Sequence, residues 1–213
     1  MKIVKTPVLI RYLFNGLVWK VAGNEKTIYL TFDDGPTPEA TPYVLDMLDR
    51  YRARATFFCV GDNIRKHDEI FKAVISGGHM IGNHTFNHLN GWKTPDEEYF
   101  QNIGDCHAII HQTGYLRNQK LFRPPYGRIK WSQLNFLKQK YKIVMWDILT
   151  RDYNPGHNPD ALLKKILKGT VSGSIVVFHD SKKALPGLRL FLEKFLKHFT
   201  LSGYTFSTLE NIS

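Results

Sequence analysis

The sequence predicts an α/β fold, a distorted (β/α) barrel of about seven parallel strands with outer helices. Short apolar runs rich in β-branched residues alternate with stretches of helical periodicity from about residue 27 onward. No G-x-G-x-x-G motif follows the first run, which disfavours an open dinucleotide-binding sheet. Chemically versatile side chains come directly after several of the runs, as they do at the rim of a barrel.

The apolar runs are predicted to be strands. They are short and apolar on both faces, which is typical of parallel strands buried between helices. In chain order they are TIYLTF (27–32), ATFFCV (55–60), HMIGN (79–83), LFR (121–123), IVMW (143–146), SIVVF (174–178) and YTF (204–206).

Two of the remaining stretches have a clear helical pattern. After Pro38, the side chains of Val44, Leu45 and Leu48 share one face of a 3.6-residue repeat. The last helix carries a broad apolar stripe, which would cover one face of the sheet. The stripe consists of Leu188, Phe191, Leu192, Phe195, Leu196 and Phe199.

Length and composition indicate one domain over residues 1–213, with residues 1–26 as an N-terminal extension that packs on the barrel. The chain is 43% hydrophobic and 23% charged, and no repeat or low-complexity linker divides it. Two cysteines, Cys59 and Cys106, are too few for the disulfide framework of a small secreted protein. Cys59 lies in an apolar run and is expected to be a buried, inert thiol.

The chain is basic, with 29 Lys and Arg against 19 Asp and Glu and a formal net charge of +10. The basic residues are spread out rather than grouped in blocks, so we expect a solvated basic surface and no nucleic-acid partner. Arg11 and Asn15 interrupt the apolar N-terminus, and neither a clear export signal nor a transmembrane segment is predicted. A cytoplasmic location is the default expectation, with an extracytoplasmic location as the alternative.

Polar side chains follow the carboxyl ends of most predicted strands. In a parallel barrel these ends meet at one rim, where the βα loops build the active site. Packing alone gives no reason to place polar groups at the same end of several strands, so the pattern predicts an enzyme. The residues concerned are Asp33, Asp34, His84, Arg123, Asp147, His179 and Asp180.

Asp33 and Asp34 are adjacent carboxylates, an arrangement that is costly unless a cation or a strong hydrogen-bond donor is close. If the segment is extended, the two side chains point to opposite sides. One carboxylate would then face a metal, and the other would face a water or an arginine. Alternatively the D-D-G-P sequence, with Gly35 and Pro36, simply makes a turn.

His84 and His88 have an H-x-x-x-H spacing, which places two imidazoles on one face of a helix. Together with Asp34 they offer two nitrogens and one oxygen, the open ligand set of a catalytic zinc site. His107 and His111 have the same spacing within an amphipathic stretch, and we assign that pair to a solvated helix face.

Five segments resemble, in order, the motifs of the polysaccharide deacetylase family, which is carbohydrate esterase family four or the NodB-homology domain. They are TFDDGP (31–36), HTFNH (84–88), RPPYG (123–127), WDILTRDY (146–153) and VFH (177–179). The resemblance implies a metal-dependent hydrolase with a barrel fold. Its substrate would be the N-acetylglucosamine units of a glycan, either peptidoglycan or a chitin-like oligosaccharide, and an activated water would attack the acetamide.

The resemblance also implies roles for individual residues. The metal, expected to be Zn²⁺ with Co²⁺ or Ni²⁺ as alternatives, would be held by Asp34, His84 and His88. Asp33 would be the general base, and Arg123 resembles the arginine that hydrogen-bonds this base. The backbone N–H of Tyr126 would stabilise the oxyanion, and His179 would be the general acid that protonates the leaving amine.

The fourth motif departs from the family pattern D-x-x-D-W, because Leu149 replaces the first aspartate, which orients the acid histidine. Asp147 lies two residues earlier, on the same face of an extended strand. We therefore hypothesise that Asp147 orients His179. The alternative is a structural Asp147 and another partner for His179.

Other aromatic and apolar positions resemble walls of the substrate pocket. Tyr153 stands where the family has Trp, and Val177 where it has Leu; Trp146 and Tyr126 are further pocket candidates. Stacking on sugar rings is a further expectation for Tyr126 and for two tryptophans elsewhere, Trp92 and Trp131, with packing in the core or at the rim as the alternative for each.

Two other functions compete with glycan N-deacetylation. One keeps the metal site but hydrolyses a small amide or the O-acetyl groups of a xylan-type substrate. The other is a glycan-binding module that lost catalysis through the change at Leu149, although the retained candidate residues argue against such a loss.

Overall fold

The structure is a computed structural model that describes residues 4–23, 25–115, 120–156, 158–210 and 212. Its α-helices surround a central sheet. They are α1 (Val8–Leu13), α2 (Thr41–Arg50), α3 (Gly61–Lys66), α4 (Asp68–Ser76), α5 (Asp96–Gln112), α6 (Trp131–Leu137), α7 (Pro159–Gly169) and α8 (Leu185–Leu201). None of the helices in these ranges is long and apolar enough to cross a bilayer.

The strands form one parallel sheet. They are β1 (Thr27–Asp33), β2 (Ala55–Cys59), β3 (Met80–Asn83), β4 (Leu121–Phe122), β5 (Lys142–Ile143), β6 (Ile148–Leu149), β7 (Ile175–His179) and β8 (Thr205–Phe206). Their order is β5-β4-β3-β2-β1-β7-β6, and β8 pairs with the start of β1. The seven-strand path curls into a distorted half-barrel, which confirms the predicted fold class.

Residues 144–147 alone connect the two edge strands, β5 and β6. Such a short link draws the edges towards each other, and the N-terminal segment lies along the remaining gap. Val18 forms a parallel bridge with Val144, and Lys20 forms an antiparallel bridge with Ser174. Backbone groups that an open edge would leave unpaired are satisfied in this way.

A row of stacked phenylalanines lies in the core. The Phe32 ring of β1 stacks on Phe57 of β2 at 5.1 Å and on Phe178 of β7 at 5.8 Å. Phe195 of α8 meets Phe178 edge-on at 5.6 Å. Burial of each ring contributes about 1.5–3 kcal/mol, so this row ties the three central strands to the last helix and holds the rim above them in place.

The predicted apolar stripe of α8 is buried along its whole length, and α2 buries Val44 and Leu48 as predicted. Cys59 and Cys106 are buried free thiols.

The predicted strand over 143–146 is wrong in its second half. β5 ends at Ile143, and the N–H of Met145 bonds to the carbonyl of Val18 instead of to a neighbouring strand. The chain then enters β6, which the sequence did not predict and which pairs Leu149 with Val177 of β7. Asp147 separates Ile148 and Leu149 from the preceding apolar run, so the sequence shows no run of its own for β6.

Candidate active site

Four of the predicted rim residues, Asp33, Asp34, His84 and His179, line one cleft of about 470 Å³ at the carboxyl ends of the strands. The sheet register brings them together, because Asp33 of β1 pairs with His179 of β7. The cleft is lined by Asp33, Asp34, His84, His88, Pro124, Tyr126, Gly127, Trp146, Leu149, Tyr153, Val177, His179, Ser181 and Lys183.

Asp34, His84 and His88 form a cluster with the composition of a metal site. One ligand atom from each lies within 4.8 Å of the others. The Oδ1 atom of Asp34 is 3.1 Å from Nε2 of His88 and 3.8 Å from Nε2 of His84. Two imidazole nitrogens and one carboxylate oxygen fit Zn²⁺ and similar divalent ions and leave positions for water or substrate.

The two histidines do not share a helix, so this part of the sequence prediction is wrong. Residues 84–88 form a loop after β3, in which Thr85 and His88 have left-handed backbone angles, φ 63° and φ 56°. Asn83 Oδ1 accepts a hydrogen bond from the Thr85 N–H at 2.9 Å. Thr85 Oγ1 in turn accepts from the Leu89 N–H at 3.0 Å. These bonds hold the loop and bring the imidazole centroids of His84 and His88 to 5.1 Å.

Hydrogen bonds on the far side of each ring orient the two histidines. Nδ1 of His84 lies 2.7 Å from the carbonyl oxygen of Arg123, which can only accept, so Nδ1 carries the proton and Nε2 presents a lone pair towards Asp34. Burial lowers the pKa of His84 to about 4, which keeps the ring neutral. Nδ1 of His88 lies 3.1 Å from the Tyr126 hydroxyl.

The charge of Asp34 is favoured at this position. Burial opposes ionisation, but the hydrogen bond from His88 and the proximity of His179 and His84 lower the pKa of Asp34 well below its usual range. The carboxylate is therefore available as an anionic ligand.

Arg123 is fully buried under the cleft and holds Asp33. Its Nη1 donates to Asp33 Oδ1 at 2.6 Å and to Thr31 Oγ1 at 2.8 Å. Its Nε and Nη2 donate to the carbonyls of Val144 and Met145 at 3.1 and 2.8 Å. A guanidinium with fixed donors on several sides keeps the Asp33 carboxylate in one orientation.

His179 is oriented by Asp152, so the hypothesis that Asp147 does this is wrong. Asp152 Oδ1 lies 2.8 Å from His179 Nδ1, and Oδ2 accepts from the His179 N–H at 2.7 Å. Burial opposes a charged ring, but the Asp152 carboxylate outweighs it and raises the pKa of His179 to about 9. Asp152 corresponds to the second aspartate of the D-x-x-D-W motif, so the motif could have identified it as a candidate partner of His179.

The register of β6 explains why Asp147 is too far from His179. The N–H of Asp147 bonds to the carbonyl of Ile175, at the start of β7, whereas His179 ends that strand. Four residues of strand span about 13 Å at 3.3 Å per residue. Asp147 is buried instead beside Ser174, whose hydroxyl donates to it at 2.7 Å, and Arg11, whose Nη1 lies 3.3 Å away.

Gly35 and Pro36 lie in an irregular loop after β1, and Asp180 holds this loop. The Gly35 N–H donates to Asp180 Oδ1 at 3.0 Å, and Thr41 donates to Oδ2 at 2.6 Å. A Cβ at position 35 would collide with this carboxylate. Burial raises the pKa of Asp180 to about 7. A loop at this position is compatible with the paired-carboxylate interpretation, because Asp33 and Asp34 both line the cleft.

The expected pocket residues Tyr126, Trp146, Tyr153 and Val177 all line the cleft. Tyr153 meets the His179 ring edge-on at 4.8 Å. The Trp146 indole packs against the backbone of Gly127, since a Cβ at position 127 would be 2.6 Å from the ring.

Trp92 and Trp131 are not among the residues that line this cleft. The Trp92 indole donates to the carbonyl of Ile129 at 3.1 Å, and Trp131 stacks on Phe14 at 5.4 Å. Both side chains are largely exposed.

Sequence reasoning missed Lys183, which lines the cleft and places its ammonium 5.7 Å from the centre of the Tyr153 ring. No carboxylate in the described part of the chain forms an ion pair with it. Its neighbour Lys182 differs, because its Nζ lies 3.7 Å from Glu39. No motif marks Lys183, so only the folded chain identifies it as a cleft residue.

His107 and His111 lie on α5, outside the cleft. Their ring centroids are 4.4 Å apart, His111 is exposed, and His107 is half-buried against Tyr141. This pair occupies a helix face, as predicted.

Comparisons with known proteins agree with the motifs. A family model described as polysaccharide deacetylase matches residues 20–142. A peptidoglycan-N-acetylglucosamine deacetylase of Bacillus cereus is 36% identical over 200 residues, 92% of each chain. A chitooligosaccharide deacetylase of Azorhizobium caulinodans is 35% identical over 169 residues, 78% of this chain and 79% of that protein.

The fold agrees as well. A crystal structure of a peptidoglycan N-acetylglucosamine deacetylase in complex with 4-naphthalen-1-yl-N-oxidanyl-benzamide matches with a TM-score of 0.86 and 32% identity. The match covers 97% of this chain and 96% of that one. The chain therefore belongs to the polysaccharide deacetylase family.

Proposed function

We propose that this protein is a metal-dependent hydrolase that removes N-acetyl groups from the N-acetylglucosamine units of a glycan. One observation carries the proposal: a potential metal-ligand set, a carboxylate held by an arginine and a histidine held by an aspartate face the same cleft. The similar proteins described as peptidoglycan and chitooligosaccharide deacetylases support the reaction type.

The donor set supports a divalent metal held by Asp34, His84 and His88, with Zn²⁺ expected and Co²⁺ or Ni²⁺ as alternatives. When bound, such an ion acidifies water and stabilises negative charge on the carbonyl oxygen. The orientation of His84 by the Arg123 carbonyl suits ligation, because the neutral ring already directs its lone pair towards Asp34.

Asp33 is proposed as the general base. Arg123 donates to its Oδ1, and among the described residues no other donor bonds to this carboxylate. Oδ2 is therefore available to take a proton from the attacking water. The four hydrogen bonds of Arg123 keep it in place, so the base does not rotate during the reaction.

His179 is proposed as the general acid. Asp152 holds Nδ1, which leaves Nε2 to donate a proton to the departing amine nitrogen. Because the carboxylate raises the pKa of His179 to about 9, the ring is protonated at neutral pH and ready to act as an acid. The backbone N–H of Tyr126, on the loop that lines the cleft, is proposed as an additional donor to the oxyanion.

The residues that line the cleft are consistent with a substrate that carries an acetyl group on a sugar. Leu149, Val177 and Trp146 supply apolar surface for the methyl group. Lys183 adds a positive charge at the wall that no carboxylate of the described residues pairs with. This charge favours a glycan bearing carboxylates, such as peptidoglycan with its lactyl and peptide groups, over a neutral chitin-like chain.

The test is acetate release from N-acetylglucosamine oligomers and from peptidoglycan, with metal-free protein and with Zn²⁺, Co²⁺ or Ni²⁺ restored. We expect turnover only with metal and loss of turnover with a chelator. Binding of these glycans without turnover would indicate a non-catalytic module. Preferential release from acetylated xylan or a small amide would indicate one of the competing hydrolase functions.

A further inference from the structure

Helix α1 (Val8–Leu13) buries none of its side chains, although five of its six residues are apolar or aromatic. Single exposed apolar residues are common on protein surfaces, whereas a contiguous group usually marks a contact surface. The exposed fractions are 71% for Val8, 67% for Leu9, 40% for Ile10, 75% for Tyr12 and 62% for Leu13.

The only charged residue of α1 points inward. Nη1 of Arg11 lies 3.3 Å from the buried carboxylate of Asp147, and the arginine side chain is only 21% exposed. The outer face of α1 therefore carries no charge. The outer surface of α1 is apolar because Arg11 faces Asp147 and the other five residues of the helix are uncharged.

The helix is held firmly on the barrel. Thr6, just before α1, donates its N–H to the Asp147 carbonyl and its hydroxyl to the Trp146 carbonyl, both at 2.8 Å. Just after α1, Phe14 stacks on Trp131 at 5.4 Å. The Trp131 ring is itself 64% exposed and extends the apolar surface.

The exposed charges of the N-terminal segment have one sign. The sequence from residue 1 to residue 23 contains no Asp or Glu, while Lys5 and Lys20 flank the helix and are exposed. The whole chain carries a formal net charge of +10. An apolar face with Tyr12 and Trp131 beside it and lysines around it has the composition of a surface that enters the headgroup region of an anionic membrane.

We propose that α1 and Trp131 form a docking surface for an anionic lipid bilayer. A second copy of the chain fits less well, since a six-residue helix is about 9 Å long, too small to supply the roughly 800 Å² per partner of a stable interface. The apolar face enters the acyl boundary, and Lys20 contacts lipid phosphates, whereas the Lys5 ammonium bonds to the Gly169 carbonyl at 2.7 Å. The proposal does not depend on the proposed function.

The experiment measures sedimentation of the full chain with phosphatidylcholine vesicles, with and without phosphatidylglycerol. We compare wild type with Leu9→Ser/Leu13→Ser, two residues on one face of α1. Leu201→Ser is the matched control, because Leu201 is 79% exposed at the end of α8. Thermal unfolding shows that each variant folds.

We expect wild type and Leu201→Ser to bind vesicles containing phosphatidylglycerol. The α1 variant should bind at least about tenfold more weakly, because it lacks two leucine side chains that would insert into the lipid. High salt should weaken binding of the wild type. Equal binding by both variants, or no vesicle binding together with an α1-dependent dimer in sedimentation equilibrium, overturns the proposal.

Discussion

Two histidine pairs with identical spacing lie in different settings in this molecule. His84 and His88 follow β3 on a loop beside the Asp34 carboxylate. His107 and His111 lie one turn apart on α5, and in the described ranges no Asp, Glu, Cys or further His completes a ligand set there. The helical pair is the closer one, with centroids 4.4 Å apart against 5.1 Å.

Proximity of two imidazoles is therefore not what distinguishes a potential metal site. The rim pair has a third ligand, and its rings are oriented from behind by the Arg123 carbonyl and the Tyr126 hydroxyl. A strand end supplies these partners because neighbouring strands end at the same level. Two aspartates, Asp152 and Asp147, and two lysines, Lys183 and Lys182, form similar pairs, with the first residue of each at the rim and the second away from it. Each pair therefore offers a matched experiment.

The largest expected effect comes from the histidine pairs themselves. We expect His84→Ala and His88→Ala to lose bound metal and to reduce deacetylation to background, a larger loss than the roughly 10²–10⁴-fold that a general acid or base contributes. His107→Ala and His111→Ala should retain both properties. The measurements are metal content after dialysis and kcat/KM on an N-acetylated oligosaccharide.

An equal loss of metal in the α5 variants would contradict the distinction between rim and helix. Retention of metal by both rim variants would instead contradict the ligand set. Thermal unfolding of all four proteins separates either result from a failure to fold.

The next largest effect on activity is expected from Asp152, with the buried Asp147 as its comparison. In Asp152→Asn the ring of His179 loses its carboxylate while burial continues to disfavour its charge, so its pKa falls from about 9. As the proposed general acid, His179 would have to be protonated, so activity should be lost as pH rises through its pKa. The basic limb of the kcat/KM profile should therefore move to lower pH, and kcat should fall about 10²-fold at neutral pH.

Asp147→Asn is the control for this experiment. It removes a buried charge that pairs with Arg11, so we expect a loss of about 1–3 kcal/mol in the free energy of unfolding. The basic limb should stay in place. A shift of the limb in Asp147→Asn, or none in Asp152→Asn, would show that the positioning of His179 is misassigned.

The fold and most of the rim could be predicted from the sequence because their signals are local. An apolar run followed by Asp33, or by His84, identifies a strand and the residue at its end. The partner of His179 required more than local information. It depends on the register of β6 against β7, which places Asp147 at the start of β7 and Asp152 beside its end.

The backbone of residues 84–88 was also beyond the sequence pattern. Thr85 and His88 have positive φ without being glycine, and the loop is held because its backbone N–H groups donate to the side-chain oxygens of Asn83 and Asn102. The H-x-x-x-H spacing is equally compatible with a helix, so the pattern correctly indicated that His84 and His88 are neighbours, but for the wrong geometric reason.

The smallest expected effect comes from the two neighbouring lysines, Lys183 in the cleft and Lys182 outside it. We expect Lys183→Gln to lower kcat/KM about 2–5-fold on a peptidoglycan fragment bearing carboxylates, the size of an exposed charge pair. It should leave a neutral chitooligosaccharide unaffected. Lys182→Gln loses an ion pair with Glu39 outside the cleft and should change neither substrate. The effect of Lys183 should shrink as salt rises, since exposed charges are screened. Equal changes on both substrates would mean that Lys183 supports the cleft wall through Tyr153 and does not recognise an acidic glycan.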